Sequence, residues 1–169
     1  MPIRRYIQEI IDGVKDGTST EASFGFLDGL QTDEVIAIAE ALKDPRCRVT
    51  LLNLENHNSG GDEGVKAITE ALKHPSSELL SVYLGCNKIG DNGAKLIADV
   101  LKNPSCKLLS LCLEDNNIGD EGAKLIAESL KHKNCKLTFL RIDSNYITDE
   151  GYMALREAMW NRFTGKITK

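Results

Sequence analysis

The sequence is poor in the residues that most often carry chemistry. Its 169 residues include one Trp, four Pro and three His. None of the histidines falls in a Ser/His/Asp or Cys/His grouping on neighbouring predicted strands. No glycine-rich segment has the lysine and helix context of a phosphate-binding loop. These absences predict that the chain is not an enzyme, with no catalytic residue, no cofactor and no metal site.

The sequence also lacks a long apolar run and an excess of positive charge. No run of about 18 apolar residues is present, which predicts no transmembrane helix, and the N-terminus has no apolar signal region. The net charge is −4 and the pI about 5.4, which argues against a nucleic acid or an anionic membrane as partner. Five cysteines, an odd number, indicate reduced thiols in a cytoplasmic compartment.

What the sequence does contain is an internal repeat. The segment Gly-Ala-Lys-Leu-Ile-Ala occurs at residues 93–98 and again at 122–127. Similar patterns start at Leu79, Leu108 and Leu137. Self-similarity at a fixed period is the mark of a solenoid, in which each unit stacks on the one before it.

Residues 108–136 show the elements of one unit. Leu111 and Leu113 alternate with polar or small residues, which predicts a short strand with one buried face. Asn116 follows where the chain leaves the strand, and its amide can satisfy backbone groups that a turn leaves unpaired. Ile126 and Leu130 then form the inward stripe of a helix.

This pattern, L-x-x-L-x-L-x-x-N-x-I followed by a helix, resembles the leucine-rich repeats. The unit is similar to the ribonuclease-inhibitor-like subclass, which also includes the repeats of NOD-like receptors. The resemblance covers roughly residues 24–160. It implies an α/β fold: a right-handed leucine-rich-repeat solenoid, a short curved horseshoe with a parallel β-sheet on its concave face and α-helices on its convex face.

We divide residues 1–169 as one leucine-rich-repeat domain. Residues 3–16 have apolar residues at helical spacing and predict a helix that covers the first repeat. In the degenerate first repeat, Phe24 and Phe26 are expected in the places of Leu111 and Leu113. His57 stands at an asparagine position, before a longer loop that we expect to be bulged and mobile. The predicted units are a helical cap at 1–22, a degenerate repeat at 23–48, repeats at 49–78, 79–107, 108–136 and 137–161, and a tail or cap at 162–169.

Five aspartates recur every 29 residues, each just before or at a predicted helix start. Asp is a preferred N-cap residue, because its carboxylate accepts hydrogen bonds from the first free N–H groups of the helix. We therefore expect each to cap its own helix. They are Asp33, Asp62, Asp91, Asp120 and Asp149.

The residues between the buried strand leucines set the concave face, which five strands make about 24 Å wide. Acids gather towards its strand C-terminal edge, among aromatic and basic anchors typical of binding hot spots. Cys86 and Cys112 are expected to be accessible there, whereas Cys47, Cys106 and Cys135 are expected to be buried. The predicted partner-binding residues are Asn53, Glu55, Tyr83, Glu114, Asp115, Phe139, Arg141 and Asp143.

These features predict a monomeric protein–protein interaction module that binds a protein through its concave face and adjoining loops. One alternative is an exported bacterial effector that mimics host leucine-rich-repeat proteins, acting in the host cytoplasm. Another is a regulator of the GTPase-activating type, with Arg46, Arg48 and Arg141 as candidate arginines. A scaffold without a single partner also fits, and the acids would then only keep an exposed sheet soluble.

Overall fold

The computed structural model describes residues 4–24, 29–56 and 61–163, in which helices and strands alternate. Each strand is three residues long and is followed by a helix. The elements are α1 (Arg5–Lys15), β1 (Glu21–Ser23), α2 (Thr32–Ala41), β2 (Leu51–Asn53), α3 (Gly61–Lys73), β3 (Ser81–Tyr83), α4 (Asp91–Leu101), β4 (Ser110–Cys112), α5 (Asp120–Lys131), β5 (Phe139–Arg141) and α6 (Asp149–Phe163).

The five strands form one parallel sheet in sequence order, β1-β2-β3-β4-β5. Their central residues pair in register and are buried, apart from a half-buried Leu140: they are Ala22, Leu52, Val82, Leu111 and Leu140. Each helix from α2 to α6 packs against its neighbours in the same order. The predicted solenoid of strand–helix units is therefore confirmed.

Helix α1 covers the first unit, as predicted. Ile7, Ile11 and Val14 recur at helical spacing and are almost fully buried. The helix packs on α2, and the guanidinium of Arg4 donates to both carboxylate oxygens of Glu34 at 2.9 and 3.0 Å. The apolar end of the stack is thus closed on this side, which a solenoid requires of its terminal unit.

The register of the first repeat differs from our prediction by two residues. Ala22 pairs with Leu52, and Phe24 follows at the next inward position and is 1% exposed. Ala22 and Phe24, and not Phe24 and Phe26, therefore occupy the places of Leu111 and Leu113. Because a shift of two residues keeps the same side chains on the same face, the alternating pattern cannot distinguish these registers. Phe26 lies outside the described residues, as do His57 and loop residues 58–60.

Asparagines join the third, fourth and fifth repeats to the repeat that precedes each of them. The amide nitrogen of Asn116 donates to the carbonyl oxygens of Leu113 and Glu114 in its own repeat and of Leu84 in the preceding one, each at 3.0 Å. Its oxygen accepts from the backbone N–H groups of Asn87 and Ile89. The predicted role of this asparagine in the turn is confirmed, and the structure adds that it also bridges two repeats.

Three of the five aspartates, Asp62, Asp91 and Asp120, accept hydrogen bonds at the start of the next helix, whereas Asp33 accepts from the N–H of Glu34 at the start of its own. Gly90 and Gly119 are the N-cap residues of α4 and α5, and the aspartate that follows each is the first helical residue. The carboxylate of Asp91 instead accepts from the N–H groups of Gly119 and Gly122, at the start of the next helix. Asp62 and Asp120 reach forward in the same way, to Gly90 and to Thr148. A helix start needs an acceptor, and in a stack the preceding repeat is close enough to provide it.

The end of the stack has a different closure. Arg162 lies in the last turn of α6, and its guanidinium donates to the carbonyl oxygens of Leu130 and Leu137. It thereby ties the helix to the segment that leads into β5. As predicted, Cys47, Cys106 and Cys135 are buried. Within the described residues, no helix has the length and apolarity needed to cross a bilayer.

Candidate protein-binding face

The outward-facing side chains of the strands form rows across the sheet, which we call the strand face. The strand register places Asn53 beside Tyr83, Tyr83 beside Cys112, and Cys112 beside Arg141. Asn53 and Arg141, which are far apart in the sequence, are thus brought into one row because the strands are parallel and in register. Asn53 and Tyr83 are half-buried and Arg141 is exposed.

The next row along the strands is acidic. Hydrogen bonds from the N–H groups of Asn56, Cys86 and Asp115 to the following repeat extend the pairing beyond the three-residue strands. Gly85 lies between two glutamates there: an added Cβ would lie 3.1 Å from Cγ of Glu114 and 3.5 Å from Cγ of Glu55. The glycine therefore leaves the space in which these two side chains lie across the sheet.

Arg141 is the one basic side chain that the predicted site contributes. It forms ion pairs with Glu114 and, at 3.2 Å, with Asp143. Its guanidinium is half-exposed, so both ion pairs are open to screening by salt. The residues predicted for the site at this end of the sheet are therefore in mutual contact.

The chain leaves β2, β3, β4 and β5 through a left-handed residue. The φ values lie between 52° and 65° at four equivalent positions, Asn56, Cys86, Asp115 and Ser144. In this conformation the Cys86 thiol donates to the Asp115 carboxylate, with Sγ 3.2 Å from Oδ2. Burial, the bond to Asp115 and the charges of Glu114 and Glu55 raise the pKa of the Cys86 thiol to about 11.

We expect Cys86 to react slowly with iodoacetamide at pH 8 despite its partial exposure. A pKa near 11 leaves roughly a hundredfold less thiolate than in a free cysteine, so the rate should rise about tenfold per pH unit until the pH approaches that pKa. Asp115→Asn removes a negative acceptor and should accelerate alkylation at pH 8. Mass spectrometry of the alkylated peptide measures the rate, and Cys86→Ser identifies its signal. A rate that levels off near pH 9 would contradict the raised pKa.

Cys112 does not have the exposure that we predicted. It is 5% exposed because the side chains of Glu55 and Glu114 lie over it, and the ligand atoms of the three residues are within 4.8 Å of one another. Burial raises the pKa of the Cys112 thiol. A metal ion here would have to displace that proton and also Arg141 from Glu114, so we assign no metal to the group.

A second feature of the strand face is apolar and was not predicted as a unit. Leu51, Leu80, Leu109 and Phe139 lie at the strand N-terminal ends, and we call them the apolar rim. Leu80 and Leu109 are 36% and 38% exposed, and Phe139 is 53% exposed. The carbonyl oxygen of Leu80 accepts from the N–H of Leu109, and that of Leu109 from the N–H of Phe139, so these three residues lie on neighbouring strands. Leu51 and Phe139 pair with the serines that directly follow Leu80 and Leu109. Leu80 and Leu109 each follow a buried leucine, and this adjacency is the signal that could have identified them.

The structure therefore places the predicted residues in two neighbouring rows and a turn. Asp115, Phe139, Arg141 and Asp143 are exposed, whereas Asn53, Glu55, Tyr83 and Glu114 are half-buried. The ion pairs bring Glu114, Arg141 and Asp143 together. Phe139 lies apart from them, on the apolar rim. Their role in binding a partner stays a prediction.

Comparisons with known proteins agree with this geometry. A leucine-rich-repeat family model matches three segments, residues 77–98, 105–127 and 133–155. A solved structure described as leiomodin-1 actin-binding site 2 has a TM-score of 0.80 at 21% identity, over 97% of this chain and 93% of that one. The tropomodulin C-terminal domain of Caenorhabditis elegans has a TM-score of 0.67 at 13% identity, over 95% of each chain. No curated protein sequence matches the chain.

The matched segments begin near the first leucine of the strand and extend into the helix of the same repeat. Each match to the family model therefore covers most of one strand–helix unit of the structure. The structural matches extend over nearly the full chain, including the capping helix and the first repeat that the family model leaves out. At these identities they show the fold and not the partner. With strand, asparagine turn and helix recurring in register along one parallel sheet, the chain has the leucine-rich-repeat fold, and three of its repeats match the leucine-rich-repeat family model.

Proposed function

We propose that the protein is a binding module that holds a protein partner against its strand face, without catalysis of its own. One observation carries the proposal. Phe139 is 53% exposed on a sheet face that also presents the half-buried Tyr83 and the exposed Arg141. Aromatic and Arg side chains are the residues most often found at binding hot spots, and exposed aromatic groups on one face mark interaction surfaces.

The GTPase-activating alternative gains little support from the candidate arginines. Arg141 is held by Glu114 and Asp143, and Arg46 by Asp44 at 3.0 Å. An arginine that enters a nucleotide site would first have to leave these carboxylates. Arg48 is 3.7 Å from Glu78 and is more loosely held. Unchanged GTP hydrolysis by small GTPases in the presence of the protein would exclude this function, and the bacterial effector stays a hypothesis about source.

The proposal predicts that three substitutions on the strand face remove binding and leave the fold intact. Tyr83→Ala, Phe139→Ala and Arg141→Ala together delete two aromatic side chains and the arginine between the acids. Immobilised wild-type and variant proteins are used to capture partners from cytosolic extract, at low and at high salt. We expect a partner that the wild type retains and the triple variant loses, because hot-spot truncations cost about 2 kcal/mol or more each.

A matched control carries the same kind of change on another surface. Met153, Arg156 and Trp160 are exposed on α6, and their triple alanine variant also removes apolar, basic and aromatic groups. It should retain the partner. A partner lost only in this control would move the site to the end of the stack and contradict the proposal, as would one retained by both variants.

Actin is the first purified ligand to include in this assay. The solved leiomodin-1 structure is described as an actin-binding site, and that description belongs to leiomodin-1. The similarity in fold alone justifies the test. Cosedimentation with actin filaments that is lost in the strand-face variant would identify the partner, whereas no cosedimentation would leave the partner to the extract experiment.

A further inference from the structure

We propose that the strand face takes an amphipathic helix of its partner, lying across the strands with an apolar side towards the apolar rim and a basic side towards the acids. This inference rests on the proposed function and specifies the chemistry of the bound segment. The strand face has two parallel bands, one apolar and one acidic, and the distance between them matches the diameter of a helix.

The first band is the apolar rim. It extends from β2 to β5 with a stagger of one residue: Leu51 and Phe139 share a row with Ser81 and Ser110, and Leu80 and Leu109 directly precede those serines. Three of its four side chains are more than a third exposed. One exposed leucine needs no explanation, but four apolar side chains at the starts of four neighbouring strands form a surface that burial would stabilise.

The second band, which we call the acidic edge, consists of Glu55, Glu114, Asp115 and Asp143. Within the described residues, one cation lies at ion-pair distance from this band, Arg141, which pairs with Glu114 and Asp143. Four carboxylates and one guanidinium leave the edge negative. A basic side chain from a partner would add favourable contacts there, whereas an acidic one would be repelled.

The spacing of the bands selects a helix. The first residues of the strands and the acidic row are four residues apart, for example Leu51 and Glu55, or about 13 Å at the rise of a β-strand. A helix with its side chains is about 10–12 Å in diameter, so one helix lying between the bands touches both. From β2 to β5 the face extends about 14 Å, which corresponds to roughly ten helical residues. Tyr83, in the row between the bands, would contact the underside of the helix.

An extended partner segment fits this surface less well. A bound strand needs free backbone N–H and C=O groups, which are found at a sheet edge and not on a face. Side chains of an extended segment also alternate between opposite sides. A helix presents apolar residues at i, i+3, i+4 and i+7 along one side and charges along another, which is the pattern the two bands require.

Three labelled synthetic peptides of about 18 residues test the inference by fluorescence anisotropy. The first has leucines on one helical side and lysines on the other. The second replaces every lysine with glutamate, and the third scrambles the first so that its composition is kept and its periodicity lost. We expect the lysine peptide to bind about tenfold or more tightly than the other two at low salt, with the difference reduced in about 0.5 M NaCl.

Variants of the protein test whether the acidic edge and the apolar rim each contribute to peptide binding. Glu55→Gln, Asp115→Asn and Asp143→Asn together should weaken the lysine peptide about tenfold, since each exposed pair contributes modestly. The control Glu63→Gln, Glu70→Gln and Glu128→Gln makes the same charge change at exposed positions on helices and should change affinity less than about twofold. Leu80→Ser with Leu109→Ser should also weaken the lysine peptide. Circular dichroism and thermal unfolding check that each variant is folded.

Equal affinity for the lysine and glutamate peptides, or for the lysine peptide and its scramble, would overturn the inference. So would an equal loss in the two neutralised variants, which would indicate a general effect of charge. These results are separable from the proposed function. If partner capture still requires Tyr83, Phe139 and Arg141, the strand face binds a protein by other chemistry; if it does not, both proposals fail.

Discussion

Asn116→Ala is expected to lower the free energy of unfolding by about 3–5 kcal/mol. The side chain is 5% exposed and makes five hydrogen bonds, three as donor and two as acceptor, to backbone groups of two repeats. Alanine would leave the N–H groups of Asn87 and Ile89 and the carbonyl oxygen of Leu84 without this partner, whereas the carbonyl oxygens of Leu113 and Glu114 keep bonds from Asn145 and Cys86. Each buried group left unpaired is costly because it has lost its water as well as its partner. For a domain stable by about 5–15 kcal/mol, this is a large fraction of the total.

Equilibrium urea unfolding measures the loss, with Asn117→Ala as control. Asn117 is the adjacent residue and is exposed. Its N–H donates to the carbonyl oxygen of Ile89 at 2.8 Å, and alanine keeps that bond. We expect the control to change stability by less than about 0.5 kcal/mol. Hydrogen exchange should also accelerate at the amides of Asn87 and Ile89, which donate to Asn116. Similar losses in both variants would show that the buried amide has no special role.

Gly93→Ala is the second substitution with a large expected effect, although alanine is the better helix former by about 1 kcal/mol. Gly93 is buried in the first turn of α4, and an added Cβ would lie 2.5 Å from Oδ1 of Asp62 and 2.6 Å from Cγ2 of Ile89. The same Asp62 oxygen accepts from Gly90 across the repeat boundary at 2.9 Å. The methyl group would push the repeats apart, and we expect a net loss of about 1–3 kcal/mol.

Gly90→Ala provides the comparison within the same turn. Its added Cβ would have no atom closer than 3.7 Å, and its φ of −99° is accessible to alanine. We expect a change within about 0.5 kcal/mol. Thermal and urea unfolding of the two variants measure the difference. If Gly93→Ala were as stable as Gly90→Ala, the repeats would not be held at the close distance on which our account of Asp62 depends.

The sequence was sufficient to predict those parts of the fold in which the environment of a residue depends only on its own strand or turn. Leu111 and Leu113 are buried because alternation in a strand places them on the inward face, and Asn116 bonds the turn that follows. Our prediction placed the first strand two residues too far along the chain, because Ala22 and Phe24 satisfy the same alternation as Phe24 and Phe26. No periodicity in one chain distinguishes two registers that differ by two residues.

Predictions failed where a contact depends on the next repeat. Asp91 has the chemistry of an N-cap, and only the stacking distance decides whether its carboxylate serves its own helix or the following one. Cys112 lies in the outward-facing row as predicted, yet Glu55, which follows β2, and Glu114, which follows β4, place their carboxylates within 4.8 Å of its thiol. The apolar rim likewise appears only when Leu80 and Leu109 lie side by side. The spacing of residues within one repeat predicts which helices and strands form, whereas contacts between repeats decide which side chains are exposed.

The forward reach of the aspartates has a consequence for how such a chain can change length over evolution. In three of these bonds the aspartate acceptor precedes its donor by the same number of residues: 28 from Asp62 to Gly90, from Asp91 to Gly119 and from Asp120 to Thr148. Each repeat carries one donor for the repeat before it and one acceptor for the repeat after it. A tandem gene duplication of a single 29-residue unit therefore copies both halves of a new junction together, and the protein can grow without any further mutation to join the added repeat.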